Sequence, residues 1–149
     1  MIHYITLRAT AHATEEESRV KKSLDLFLLN SVSSNTNTDE FVEEMDVEGH
    51  YGNPITIYNA KLSRKSECNK LVEFVKKNLS SSERATLCKE IPDRLDEEQI
   101  FHLRFNKQEA FLDRVVLSTS SDAIIVKMKV ATYPKNWEQA RKNLEDLFG

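Results

Sequence analysis

Along IHYITLRATAH, residues 2–12, apolar and polar side chains alternate. Ile5, Leu7, Ala9 and Ala11 fall on one side and Tyr4, Thr6, Arg8 and Thr10 on the other. A period of two marks a half-buried strand. The period lengthens in TEEESRVKKSLDLFLL, where Val20, Leu24, Phe27 and Leu28 share one helical stripe and Thr14 stands three residues before Glu17 at capping-box spacing. Glu15, Glu16 and Glu17 suit the positive end of that helix's dipole. Residues 30–39, NSVSSNTNTD, are almost wholly polar and aperiodic, which predicts a mobile loop inside the domain. Phe41, Met45 and Val47 then alternate with charged residues, and PITIYNAKL resumes as a strand, so a hairpin is expected around GHYGN. Gly49 and Gly52 can both take positive φ there, and Pro54 enters the strand where no ladder N–H is needed.

Cys68, Leu71, Val72, Val75 and Leu79 form the stripe of a second helix, with Ser63 or Ser66 as its cap. SSSERATLCKEI predicts a short third helix, serine-capped, with Leu87 and Ile91 inward and an end near Pro92. QIFHLRFN reads as a strand with Phe101, Leu103 and Phe105 inward, and KQEAFLD turns the chain. RVVLS and AIIVKMKVATY supply two more strands across the SSD turn. Asn136 and Gln139 have capping-box spacing at the start of a final helix, whose Trp137, Ala140, Leu144, Leu147 and Phe148 point inward. This order predicts an α+β fold: a largely antiparallel sheet with amphipathic helices packed on one face and the other face partly open.

A length of 149 residues suits one domain, residues 1–149, with its own core. No apolar run approaches the ~20 residues of a membrane span, and MIHYITLRAT begins as a strand without a basic leader, so a cytoplasmic protein with no membrane partner is expected. A net charge of −3 and a pI near 5.8 argue against a coat of basic residues, so any nucleic-acid site must be a local patch.

Specific catalytic signals are absent. Gly49, Gly52 and Gly149 cannot assemble a glycine-rich phosphate loop, and no GxSxG elbow exposes a serine. His3, His12, His50 and His102 lack HxxxH or HExxH spacing, and Cys68 and Cys88 are too few for a four-cysteine zinc site. No catalytic residue, metal site or cofactor is expected. The carboxylates of Asp93, Asp96, Glu97 and Glu98 read most simply as a solvated run.

The polar sides of the strands are more informative. If the apolar registers face the helices, the opposite face carries Tyr4, Thr6 and Arg8, then His102 and Arg104, then Lys127, Lys129 and Tyr133. Basic and aromatic side chains interleaved on an open sheet can hold phosphates while stacking bases. A merely solvated face and a partner interface are the alternatives. A right-handed crossover after the first strand would set His12 on the rim beside the GHYGN turn, where His50, Tyr51 and Asn53 project.

HYITLRATAHATEEESRV, EGHYGNPITIYNAKLSR, LRFNKQEAF and DAIIVKMKVATYPKNWEQA together resemble the archaeal RNA-binding family described as predicted exosome subunits. The resemblance covers nearly the whole chain. It implies a fold similar to the ribosomal protein that binds 5S RNA, and a link to RNA processing or degradation alongside the exosome. Its characteristic positions correspond to His12, Glu48, Gly49, His50, Tyr51, Gly52, Asn53 and Pro54, with Arg104, Lys107, Gln108 and Ala110.

The expectation is therefore a non-catalytic RNA-binding accessory protein whose partner is single-stranded or structured RNA. Arg8, Arg104, Lys107, Lys127 and Lys129 would meet phosphates. His50, Tyr51 and Tyr4 would stack on bases, with His12, Asn53 and Gln108 completing the site. The alternative is a protein-interaction module that docks an exosome subunit or a second copy of itself as a homodimer. An enzyme would need His12 and His50 to meet at the rim with a carboxylate such as Glu48.

Overall fold

The computed structural model describes residues 2–32, 37–49 and 52–149. The hairpin-tip residues His50 and Tyr51, and residues 33–36 of the polar stretch 30–39, lie outside the described residues. Just before residues 33–36, Ser31 and Val32 are buried, and just after them Thr38 is buried. A single 3₁₀ turn, Thr38–Phe41, starts at Asn37, whose side chain accepts the Asp39 N–H.

Five strands, β1 (Ile2–Ala11), β2 (Val42–Glu48), β3 (Pro54–Leu62), β4 (Ile100–Phe105) and β5 (Ile124–Val130), form one sheet in the order β2-β3-β1-β5-β4. Every neighbouring pair is antiparallel. The α+β architecture is as the periodicities predict. Helix α1 (Glu17–Leu29) carries the chain from β1 to β2. Those two strands are parallel with β3 between them, so the ends of β1, β2 and β4 and the starts of β3 and β5 share one rim. The sequence's expectation that His12 and the GHYGN turn lie on one rim follows from this strand order.

The inward faces fill one core. Ile5, Leu7, Ala9, Phe101, Leu103, Phe105, Val126 and Met128 are all essentially inaccessible to water. Against them pack α1, α2 (Lys65–Asn78), α3 (Ser81–Arg94) and α5 (Trp137–Phe148) through Leu24, Phe27, Leu71, Val75, Leu87, Ile91, Leu144 and Phe148. The Phe27 and Phe105 rings lie 4.9 Å apart, and Phe101 and Phe148 5.7 Å, fixing helices to the sheet through large aromatic contacts. Among the described residues, no helix is long and apolar enough to cross a membrane.

Several local expectations need correction. The Thr14–Glu17 capping box does not form, because α1 begins at Glu17 behind Glu16, without a side-chain cap, which leaves Thr14 outside the helix; Glu15 turns back to accept the His12 N–H at 3.1 Å. Neither Ser63 nor Ser66 caps α2. Its cap is Arg64, whose N–H reaches the Glu67 carboxylate at 3.4 Å. Helix α3 is capped by Ser80 as expected but runs through Pro92 to Arg94. The proline forfeits one hydrogen bond in the last turn, while burial of Ile91 and Leu95 holds that turn in place. RVVLS is no strand, since Leu117 makes a lone bridge to Phe105 and gives its N–H to the Glu83 carboxylate at 2.8 Å. KQEAFLD contains a short helix, α4 (Lys107–Phe111).

Among the described residues of the hairpin turn, Gly52 alone has a positive φ, +75°. At Gly49 a Cβ would lie 2.2 Å from Ile55 Cδ1, the movable end of a half-buried side chain, so a larger residue there would have to displace the Ile55 side chain.

Candidate nucleic-acid interface

Registers across the sheet define what its helix-free face presents, because residues directly opposite in antiparallel strands share a face. One row runs Lys61–Thr6–Lys127–His102, and the next Glu43–Asn59–Arg8–Ile125–Arg104. Tyr4 and Lys129 are opposed at the far end. The two middle rows line a shallow groove of about 630 Å³.

Arg8, Lys61, Arg104, Lys127 and Lys129 thus converge on one surface. Among the described residues none of the five makes an ion pair, although ion pairs are frequent elsewhere on the molecule. Their contacts are with neutral groups. Arg8 Nε donates to Asn59 Oδ1 at 2.8 Å, and Arg104 reaches the Ser120 carbonyl at 3.4 Å. Lys129 donates to the Glu98 carbonyl, and the Lys61 ammonium lies 4.6 Å from the centre of the Tyr4 ring. Glu43 is the groove's one carboxylate, at the β2 side. In the second row from the Tyr4 end, His102 Nε2 meets Asp96 Oδ2 at 2.8 Å. Burial would raise the Asp96 carboxyl, but hydrogen bonds from His102 and from the Ile100 and Glu98 N–H groups hold it below its ordinary value.

The rim carries a different arrangement. Lys107 Nζ is 2.8 Å from Asp122 Oδ1, 3.0 Å from both Glu15 oxygens and 2.8 Å from the Thr10 carbonyl. Its side chain is 8% exposed. His12 Nε2 lies 3.2 Å from the same Asp122 oxygen. Donor atoms of His12, Glu15 and Asp122 fall within 4.8 Å of one another, close enough to enclose a metal ion. The Lys107 ammonium already supplies the cation there, so a divalent ion would have to displace it.

Of the residues singled out in the sequence, Arg8, Arg104, Lys127 and Lys129 share the sheet face, while His12 and Asn53 lie on the rim. Gln108 is on neither: it sits on α4, in a recess with Thr14, Glu16 and Arg19 beside α1. Lys107 is buried in the carboxylate cluster, its ammonium taken up by Glu15, Asp122 and the Thr10 carbonyl. Lys61 escaped the sequence reading, although it stands two residues after Asn59 in the same strand and so on the same face.

A family model described as RNA binding matches residues 4–130. The chain belongs to this family. Among the relatives of this RNA-binding family member, the RNA-binding protein PAB1135 of Pyrococcus abyssi is 31% identical over 144 residues, 97% of this chain and 92% of that one. A crystal structure of protein AF2318 from Archaeoglobus fulgidus superposes with a TM-score of 0.83 at 26% identity, over 99% of both chains. The protein Mth689 of Methanothermobacter thermautotrophicus superposes with a TM-score of 0.77 at 29% identity, over 100% of this chain and 99% of that one.

Proposed function

We propose that this protein binds RNA across the helix-free face of its sheet, with Arg8, Lys61, Arg104, Lys127 and Lys129 contacting phosphates. The observation that supports this is the convergence of five cations without carboxylate partners in a molecule whose net charge is −3. Phosphates can take up such cations without first breaking an ion pair. Membership in a family described as RNA binding points the same way.

Phosphate contact should outweigh base reading, because Tyr4 and His102 are the only rings on the five-cation surface among the described residues. Contacts to phosphate position a protein on RNA with little dependence on sequence. The proposed role is non-catalytic, with partner RNA held by its backbone. The resemblance carried by EGHYGNP and KQEAF extends the proposal to an accessory of RNA processing or decay alongside the exosome.

The test is fluorescence anisotropy of labelled single-stranded and double-stranded RNA, titrated with protein across a range of salt concentrations. Saturable binding whose affinity falls steeply with salt supports the reading. No binding at low salt overturns it.

A further inference from the structure

The two edges of the sheet are treated differently. At the β4 edge, four outward backbone groups are covered. The Ile100 carbonyl accepts the Asp96 N–H at 3.0 Å, and the Ile100 N–H reaches Asp96 Oδ1 at 3.0 Å. The His102 carbonyl accepts from Arg94 at 3.2 Å, and the Arg104 carbonyl accepts the Ser118 N–H at 2.9 Å.

Strand β2 has no such cover among the described residues. Its seven residues pair with β3 in unbroken register, and six of them, 43–48, are exposed. Gly49 gives its N–H to the Asn53 carbonyl across the hairpin, and Val42 turns its N–H outward to Asp39. Antiparallel pairing alternates between these states, so Glu44, Asp46 and Glu48 direct their backbone groups away from β3. No hydrogen bond to those groups forms among the described residues.

The side chains are equally one-sided. On the helix-free face, Met45 and Val47, 45% and 36% exposed, stand opposite Ile57 and Ile55 and make an apolar patch. On the other face lie the carboxylates of Glu44, Asp46 and Glu48. None of these three, nor Glu43, makes an ion pair with any described residue. From residue 38 to residue 60 the chain has six carboxylates and no lysine or arginine. The negative field is registered by the Tyr58 phenol, pushed up to about 12 first by burial and then by Glu44, Glu17 and Asp46.

We propose that the β2 edge is a docking site for an extended segment of a basic protein, which adds as a sixth strand. Alternation fixes the chemistry of that segment. Its apolar residues would extend the Met45–Val47 patch, and its lysines or arginines, on the opposite face, would meet Glu44, Asp46 and Glu48. A second copy of this chain is a poor occupant, since β2 against β2 sets carboxylates against carboxylates. RNA is excluded from the edge by the same charge. The proposal is independent of RNA binding on the sheet face.

The probe is a short synthetic peptide alternating valine and lysine, compared with an all-lysine peptide and with one alternating valine and glutamate. The valine–lysine peptide should bind saturably and slow hydrogen exchange at the amides of Glu44, Asp46 and Glu48. The E44K/E48K variant should bind it roughly tenfold more weakly and should instead take up the valine–glutamate peptide. Absence of binding, equal binding of the all-lysine peptide, or binding without protection of those three amides would overturn the proposal. So would a concentration-dependent dimer in which β2 alone is protected. The exchange measurement on the native protein decides the matter even if the double variant fails to fold.

Discussion

Lys107 Nζ lies 2.8 Å from Asp122 Oδ1, and through that contact three separate segments meet at one point of the rim. Lys107 opens α4, Asp122 precedes β5, and Glu15, bound to the same ammonium at 3.0 Å, belongs to the turn before α1. The lysine is therefore a structural cation. Its own backbone carbonyl is tied down as well, accepting from Ser23 Oγ of α1 at 2.8 Å.

Replacing Lys107 by Gln should destabilise the fold by about 2 kcal/mol, read from urea denaturation. Loss of one partner of a buried pair costs more than this, but both carboxylates here keep contact with solvent. RNA affinity, extrapolated over salt, should keep its slope. A slope shallower by about one charge would mean that Lys107 does reach phosphate.

The same cluster sets an acid limit to stability. Burial would raise the Asp122 carboxyl, but Lys107 and then His12 outweigh it and hold it below its ordinary 3.8. A carboxyl depressed in the folded state contributes stability above its unfolded pKa and loses it as pH falls through the folded value. The urea midpoint should therefore drop steeply below about pH 4, and Asp122→Asn should drop less over the same interval. Parallel curves for the two proteins would remove Asp122 from the acid transition.

Arg104 and Lys127 flank the groove without carboxylate partners, so changing both to Ala should leave the melting temperature nearly unchanged. RNA binding should weaken, with a salt slope shallower by about two charges' worth. Adding Lys61→Ala should remove about one more. Unchanged affinity and slope would take these residues out of the interface.

Gly52, at φ +75°, should not tolerate a side chain freely. Gly52→Ala is expected to cost about 1 kcal/mol, and Gly52→Asn less, because asparagine visits the left-handed region more readily. Thermal melts of the two variants give the comparison. Equal melts for Ala, Asn and wild type would mean that the turn relaxes to another conformation.

Much of this protein is legible in its sequence. The period-two runs of β1, β4 and β5 and the stripes of α1, α2 and α5 are direct consequences of side-chain geometry, so Arg8, Arg104, Lys127 and Lys129 could be assigned to a shared face before any coordinates. Alternation states only which side of its own strand a residue occupies. Which strands are neighbours, in what register, and which edge is covered depend on contacts between distant segments. The tertiary structure therefore decided that Lys61 joins the basic face through pairing with Thr6 and that RVVLS seals an edge rather than extending the sheet. It also decided that Lys107 is drawn into a carboxylate cluster contributed by Glu15 and Asp122, residues 92 and 15 positions away in the chain, where two partly exposed carboxylates and the Thr10 carbonyl replace the water that the buried ammonium loses.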